Sequence, residues 1–491
     1  MRLTELLARA GLDAAGAGDQ AVTGFAIDHR KVAPGTIFGA FQGATVNGED
    51  YIRPAIAAGA VAVVARPEAR VEGVLHIADV TPRRAFARLA AGFFSPYPTT
   101  TVAVTGTNGK TSTVEMTRQI WRMAGERAAS IGTLGVTTPD GSVSTGLTTP
   151  DIVTFLSNMA GLAREGVTHV AYEASSHGLH QYRNEGLTLA ASAFTNFSRD
   201  HLDYHGTMEE YFAAKMRLFL EVVAPGSPAV IHDAGDGSEW TARAVAQARA
   251  RGLDVRTVGE GGAFLKLIAR EPGQLGQLLH IEHQGEVRKV NLPLIGAYQA
   301  ANALVAAGLA IATGVPISAT FDALSRLQPV RGRLERAALN QAGAPAYVDY
   351  AHTPDALEAA IAALRPHVAE GGRLIVVFGA GGDRDAGKRP QMGEVAARAA
   401  DIAIVTDDNP RSEDPAAIRA AIMAGAGANT REIGDRRKAI AAAIGEAGPR
   451  DIVLIAGKGH EQGQIFGSGE NMRIEAFDDV EVARECAGGQ C

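Results

Sequence analysis

Residues 101–112 read TVAVTGTNGKTS, a run of residue types suited to phosphate chemistry. The β-branched stretch Thr101 to Thr105 predicts a buried strand. Gly106, Thr107, Asn108 and Gly109 predict a tight turn, Lys110 and Thr111 follow, and a helix is predicted over 112–124. A strand, a glycine turn, a lysine, a hydroxyl and a helix together make an anion cradle. Backbone N–H groups and the helix N-terminus face the phosphates, Lys110 adds a point charge, and the Thr111 hydroxyl can hold Mg²⁺. A nucleoside triphosphate is therefore the expected energy source. The loop is shortened, because Val104 stands where the common pattern has its first glycine.

Further clusters carry chemistry of their own. Asn196 to Gly206, NFSRDHLDYHG, packs Asp200, His201, Asp203 and His205 into one short loop. Oxygen and imidazole ligands at that density suit Mg²⁺ or Mn²⁺, although alone such a loop reads more readily as a solvated turn. Glu173, at a predicted strand end, is a second candidate ligand. Downstream, Lys215 falls on the apolar stripe of Met208, Tyr211, Phe212, Phe219 and Val222, in a helix that opens with a Thr207–Glu210 capping box. A lysine there either snorkels or is paired, neutral or modified. Gly379 and Gly381 begin a dinucleotide fingerprint, but Arg384 occupies its last glycine position, which disfavours a nicotinamide site. In Asp407 to Arg411, DDNPR, carboxylates beside a guanidinium suit a ligand with both an amine and a carboxylate.

These residues need rigid elements behind them. Strands and helices alternate over most of the chain, which predicts an α/β fold with a mostly parallel sheet. Ligand sites then sit at strand C-termini. Polar clusters follow the strands predicted at 167–173, 190–195, 346–349, 402–405 and 451–455. Three regions are expected: 1–98, ending in the proline-marked SPYPTT; 99–332, with a β insertion over Gly259 to Pro293; and 333–491, where the α/β rhythm repeats. Net charge is −7, which argues against nonspecific nucleic-acid binding. The N-terminus lacks a signal-peptide core, and no window has the roughly 18 apolar residues of a membrane span. Cys486 and Cys491 lie close together in the tail and staple nothing large, so a reducing, cytoplasmic setting is expected.

The motifs TGTNGKTS, EASSHGLHQYR, TNFSRDHLDYHG, GAYQAANALVAA, VRGRLE, VDYAHTPDAL, GAGGDRDAGKRPQM, DDNPR and AGKGHEQ, in this order, resemble the Mur ligases over nearly the whole chain. The resemblance implies a UDP-substrate domain, a central P-loop-type ATP domain and a C-terminal Rossmann-like domain that brings the amino acid. It implies ATP and Mg²⁺, an acyl phosphate made on the D-Glu of a UDP-N-acetylmuramoyl dipeptide, and, in the branch it most resembles, diaminopimelate as the amine. Gly106 to Ser112, with Asn302, Arg333 and Asp349, match ATP contacts. Thr111, Glu173, His201 and a carbamylated Lys215 match the metal ligands, with Lys110, Lys215 and His201 as catalytic groups. Thr148, Thr149, Ser175, Gln181 and Arg183 match contacts to the UDP-sugar dipeptide, while Ile27, His29 and the loop Ala44, Thr45 and Val46 match positions that touch its UDP part. Arg389, Asp408, Asn409, Pro410, Arg411, Gly457 and Glu461 match the diaminopimelate pocket. The expected partners are these small molecules alone, in a monomer, without nucleic acid or membrane insertion.

Three positions depart from the family pattern. His29 replaces a usual serine, Leu147 a polar residue, and Arg331 a frequent proline. A lysine-adding relative is the nearest alternative. Arg411 argues against it, because lysine lacks the distal carboxylate a guanidinium fork would grip. A folate-linked relative shares the ATP logic but should lack the matched dipeptide run. A nucleotide-switched binding protein would leave Lys215 and the amine pocket without purpose.

Overall fold

The computed structural model describes residues 1–489 except 14–15, 44–45 and 144–147. The chain divides into two compact units, Met1–Ala263 with Val305–Ile317, and Phe264–Leu304 with Ser318–Cys491. Among the described residues, no helix is long and apolar enough to cross a membrane.

The first unit begins with a small parallel sheet of β1 (Gly24–Ala26), β2 (Thr36–Gly39), β3 (Ala60–Ala65) and β4 (Leu75–Ala78), paired in that order. The run AVAVVA in β3 is almost entirely buried, as a parallel strand covered on both faces must be. The helix Pro82–Phe94 starts on a proline at its first turn and packs Phe86 edge-on against both Phe25 and Phe41.

A larger sheet of this unit contains β5 (Thr100–Thr105), β6 (Ala128–Gly132), β7 (Gly135–Thr137), β8 (Ser142–Val143), β9 (His169–Glu173), β10 (Ala191–Phe194), β11 (Pro228–His232) and β12 (Asp254–Gly259). The order β12-β11-β10-β5-β9-β6 is parallel throughout, and β7 and β8 add antiparallel. Register places Thr105 opposite Phe194, and Val104 opposite Glu173. The C-terminal ends of β5, β9 and β10 therefore open side by side, where the polar clusters begin. The helix predicted from residue 112 starts at Lys110, directly after the left-handed Gly109. The helix predicted over 208–223 is α-helical at Met208–Arg217 and widens into a π-helical turn over Leu218–Val222.

The second unit opens with the expected β insertion, an antiparallel meander of β13 (Leu265–Gly273), β14 (Gly276–His283) and β15 (Glu286–Leu292). Gln284 and Gly285, both at positive φ, make the tight turn between β14 and β15. The remaining sheet comprises β16 (Glu335–Leu339), β17 (Pro345–Asp349), β18 (Leu374–Phe378), β19 (Ile402–Val405), β20 (Thr430–Glu432) and β21 (Ile452–Ala456). Its order is β16-β17-β21-β18-β19-β20, with only the edge strand β16 antiparallel. Helices cover both faces, giving two apolar layers, one around Leu357, Phe378 and Met392 and one around Val348, Ile440 and Val480. A hairpin of β22 (Gly463–Phe466) and β23 (Arg473–Ala476) follows β21.

Candidate functional site

The predicted phosphate cradle is built as a loop clasped by β10. Gly106 has φ 147°, and a Cβ there would lie 1.9 Å from Thr195 Oγ1, so the position requires glycine. Thr107 N donates to Asn196 O at 3.0 Å, Asn108 N donates to Asn196 Oδ1 at 2.9 Å, and Thr195 Oγ1 donates to Asn108 O at 2.5 Å. Gly109 (φ 85°) then turns the chain into the helix Lys110–Met123, with Thr111 and Ser112 buried in its first turn. The loop thus presents a helix N-terminus at the end of the central strand β5.

Two lysines meet at this loop. Lys110 Nζ donates to Gly106 O at 2.9 Å and to Thr107 O at 2.8 Å. Lys215 Nζ donates to the same Gly106 carbonyl at 2.7 Å and lies 4.4 Å from the Tyr211 ring centroid. Lys215 is only 1% exposed. Burial first, and then the Lys110 charge, press its pKa well below the ordinary lysine range, with Asp200 opposing. The result is a buried amine whose charged form is disfavoured, rather than a snorkelling one. The neutral form is the nucleophilic form of a lysine.

Around the cradle, the Glu173 carboxylate accepts from Thr133 N at 2.7 Å and from Thr133 Oγ1 at 3.3 Å. His201 takes a left-handed backbone (φ 51°), and its Nε2 lies 3.4 Å from Asp200. Among the described residues, no three His, Cys, Asp or Glu side chains gather closely enough to hold a metal by themselves. The donor chemistry of Thr111 and Glu173 still fits Mg²⁺, a hard cation that completes its shell with phosphate oxygens and water.

The predicted dipeptide contacts form one network. Thr149 Oγ1 donates to Glu173 O (3.0 Å) and bonds Ser175 Oγ (2.9 Å), which in turn accepts from Gly178 N (3.0 Å) to cap a short helix. Arg183 Nη1 donates to Thr149 O at 2.9 Å and Arg183 Nη2 to Gln181 Oε1 at 2.6 Å, while Gln181 Nε2 donates to Tyr204 Oη at 2.9 Å. Thr148 Oγ1 lies 3.1 Å from Thr133 Oγ1, which joins the network to Glu173. In the small sheet's region His29 stacks on Tyr51, with ring centroids 4.4 Å apart. Ile27 (37%) and Val46 (56%) are exposed apolar residues. Ala44, Thr45 and the departing Leu147 lie outside the described residues.

The second unit holds the other predicted groups. Register pairs Asp349 with Ala456 across β17 and β21, which sets Asp349 beside Gly457. Asp349 accepts from Leu334 N (2.8 Å) and Ala351 N (2.9 Å), and burial raises its pKa against the opposing field of Arg333. The Arg333 guanidinium sits 5.2 Å over the Tyr350 ring, and Gln299 links Arg333 O (2.7 Å) to Asn302 (3.4 Å). The departing Arg331 is ion-paired with Asp478.

The predicted amine pocket also converges. Asn409 Nδ2 donates to Glu461 Oε2 at 2.8 Å, Arg411 Nη1 donates to Gly382 O at 2.8 Å, and Arg389 Nη2 donates to Glu413 at 2.8 Å. Asn409 and Arg411 both adopt positive φ, so Pro410 sits in a sharply reversed turn. A Cβ on Gly457 (φ 123°) would lie 2.3 Å from Asp408 Oδ2.

Sequence reasoning assigned no role to the groups beneath this turn. Lys458, fully buried, donates to Asn409 Oδ1 (2.9 Å) and Gly463 O (2.8 Å), and lies 3.3 Å from Asp408 Oδ1. Arg436 and Asp479 form a buried bidentate pair at 2.7–2.8 Å, and Arg436 also donates to Ala456 O at 3.0 Å. Lys458 was visible as a polar residue after a strand. The Arg436–Asp479 pair spans 43 residues and left no local signal.

Comparison with known proteins places these features in context. Residues 21–93 match the Mur ligase family catalytic domain, 104–310 the Mur ligase middle domain, and 332–459 the Mur ligase glutamate ligase domain. A Zymomonas mobilis protein named UDP-N-acetylmuramoyl-L-alanyl-D-glutamate–2,6-diaminopimelate ligase is 59% identical over 467 residues, 95% of each chain. A Bradyrhizobium diazoefficiens protein of the same name is 52% identical over 465 residues, 94% of each. A solved structure bearing that name superposes with a TM-score of 0.76 at 32% identity, covering 100% of this chain and 99% of its own.

Proposed function

Because this chain belongs to the Mur ligase family, we propose that it joins an amine of meso-2,6-diaminopimelate to the D-Glu carboxylate of UDP-N-acetylmuramoyl-L-alanyl-D-glutamate at the expense of ATP. The product is a peptidoglycan precursor, made in the cytoplasm. The full-length similarity to relatives of that name supports the substrates. The observation that carries the chemistry is the paired Lys110 and Lys215 on the Gly106 carbonyl, at the mouth of a strand–loop–helix cradle.

A carboxylate at neutral pH is a poor electrophile, so it must be activated. In the proposed sequence the substrate carboxylate oxygen attacks the terminal phosphorus of ATP, and ADP leaves. The amine attacks the acyl phosphate, and the tetrahedral intermediate expels phosphate as the amide forms. The loop amides and Lys110 hold the triphosphate, and Asn302, Arg333 and Asp349 hold the nucleoside. Thr149, Ser175, Gln181 and Arg183 orient the dipeptide. Thr111, Glu173 and His201 would hold Mg²⁺, which supplies charge neutralisation on the phosphates. With its charged form disfavoured by burial, the Lys215 amine is suited to add CO₂ with loss of a proton, giving a carbamate whose charge matches a second cation. Arg389, the Asp408–Arg411 turn, Gly457 and Glu461 receive diaminopimelate, with the Arg411 fork on its distal carboxylate. We assign these roles to modules 1–98, 99–332 and 333–491. The limits of the three matched family domains support those boundaries.

The activation step has a direct test. With both D-Glu carboxylate oxygens as ¹⁸O, one label should appear in the released phosphate for each amide formed. Unlabelled phosphate would eliminate the acyl phosphate.

A further inference from the structure

Arg83 is a half-buried cation whose charge no carboxylate among the described residues balances. It lies in the first turn of the helix Pro82–Phe94. Its guanidinium sits 4.8 Å over the Phe41 ring and donates to Gln42 O at 3.1 Å. Among the described residues it forms no ion pair. Other arginines of this unit do: Arg84 faces Glu185 and Glu221, Arg66 grips Glu49 at 2.8 Å, and Arg217 grips Glu185 at 2.9 Å. Arg183, too, forms no ion pair among the described residues; its bonds go to neutral acceptors, Thr149 O and Gln181 Oε1, and the Asp151 carboxylate acts on it only as a longer-range charge. The two feel one another. Burial and then the charge of Arg183 lower the pKa of Arg83, with Tyr204 opposing. Two guanidiniums held this way, beside neutral partners and partly out of water, form a site for an anion.

The position along the substrate follows from chemical order. Arg83 touches Phe41 and Gln42, at the root of the loop assigned above to the uridine end. Arg183 belongs to the network assigned to the sugar-peptide end. The group that joins those two ends is a diphosphate. We propose that Arg83 is a substrate-binding residue whose guanidinium, in the field of Arg183, grips the diphosphate of the UDP-linked dipeptide. This rests on the reading of a UDP-linked substrate given above. The Gln42 and Phe41 contacts then act to aim a planar fork, and the helix N-terminus adds its positive end to the same anion.

The test is steady-state kinetics of the full chain with Arg83→Gln and with Arg83→Met, which keeps an apolar stem over Phe41. Loss of a charge-assisted contact should raise the KM for the UDP-dipeptide about tenfold or more while the KM for ATP stays within about twofold. Inhibition by free UDP should weaken by a similar factor. Arg83→Lys, which restores charge without the fork, should recover part of the loss. An unchanged UDP-dipeptide KM, or equal rises for UDP-dipeptide and ATP, overturns the assignment. A folding failure of Arg83→Gln leaves Arg83→Met to decide. If the wild-type protein neither turns over the UDP-dipeptide nor is inhibited by UDP, the underlying reading fails as well. If the wild type does both and the variants match it, only the role of Arg83 fails.

Discussion

At the residue scale, the informative feature is a side chain in the wrong place for stability. A lysine on an apolar helix stripe was legible from spacing alone, and the structure places it: Lys215 is buried against the cradle carbonyl, where burial disfavours its charged form. The requirement for glycine at 106 was half legible, since sequence asks for a turn there but does not show Thr195 filling the space of a Cβ. His460 carries a prediction of its own. Burial first, then Arg333 and Arg331, lower its pKa to about 4. Unfolded, a histidine titrates near about 6.5. Between these values the unfolded chain binds the extra proton, so stability is present above about 6.5 and is lost as pH falls toward about 4. The thermal midpoint of wild type should drop across that window by more than that of His460→Gln, and parallel curves would refute the assignment.

At the element scale, long strands with β-branched runs and helices with clear periodicity were legible, including β5, β18 and the β13–β15 meander. The strands that escaped include Ala128–Gly132, whose mostly small, buried residues show no alternation, and others that are short or polar. Thr430–Glu432 is only three residues with two exposed, and Arg473–Ala476 is exposed throughout, so neither shows alternation. Helix 208–217 was legible from its capping box, but its π-helical continuation was not, because both forms bury the same stripe. The turn 408–411 depends on a tie that sequence does not reveal. Lys458 pins Asn409 to Gly463, and the backbone of Arg411 bonds Ile465 O and Gly467 N. Lys458→Met leaves Asp408 buried without its partner, which should cost about 3–5 kcal/mol of stability. Hydrogen exchange should quicken at residues 408–411 and 463–467 ahead of β18. Uniform quickening across the sheet would mean that Lys458 stabilises the unit without specifically holding the turn.

At the scale of the whole molecule, each compact unit carries its own share of the residues with proposed roles. The first holds the strand–loop–helix cradle, the buried Lys215 and the residues proposed to orient the dipeptide. The second holds Asp349, Arg333 and the residues proposed to receive the amine. Motif order along the chain anticipated where these residues lie, because most of the motifs follow a strand and strand ends are where an α/β sheet opens. The partition into units was not disclosed, since residues 264–304 join the second unit through contacts distant in sequence.

The most direct measurement is ADP release from ATP and the UDP-dipeptide with diaminopimelate, with lysine, and with no amine. Rapid release with diaminopimelate is predicted. Release with lysine should be slower by a factor of about 30 or more, the equivalent of about 2 kcal/mol for an unfilled Arg411 fork. Little turnover should occur without an amine or without the dipeptide. Equal ADP release in all three mixtures, or release that ignores the dipeptide, would contradict the account.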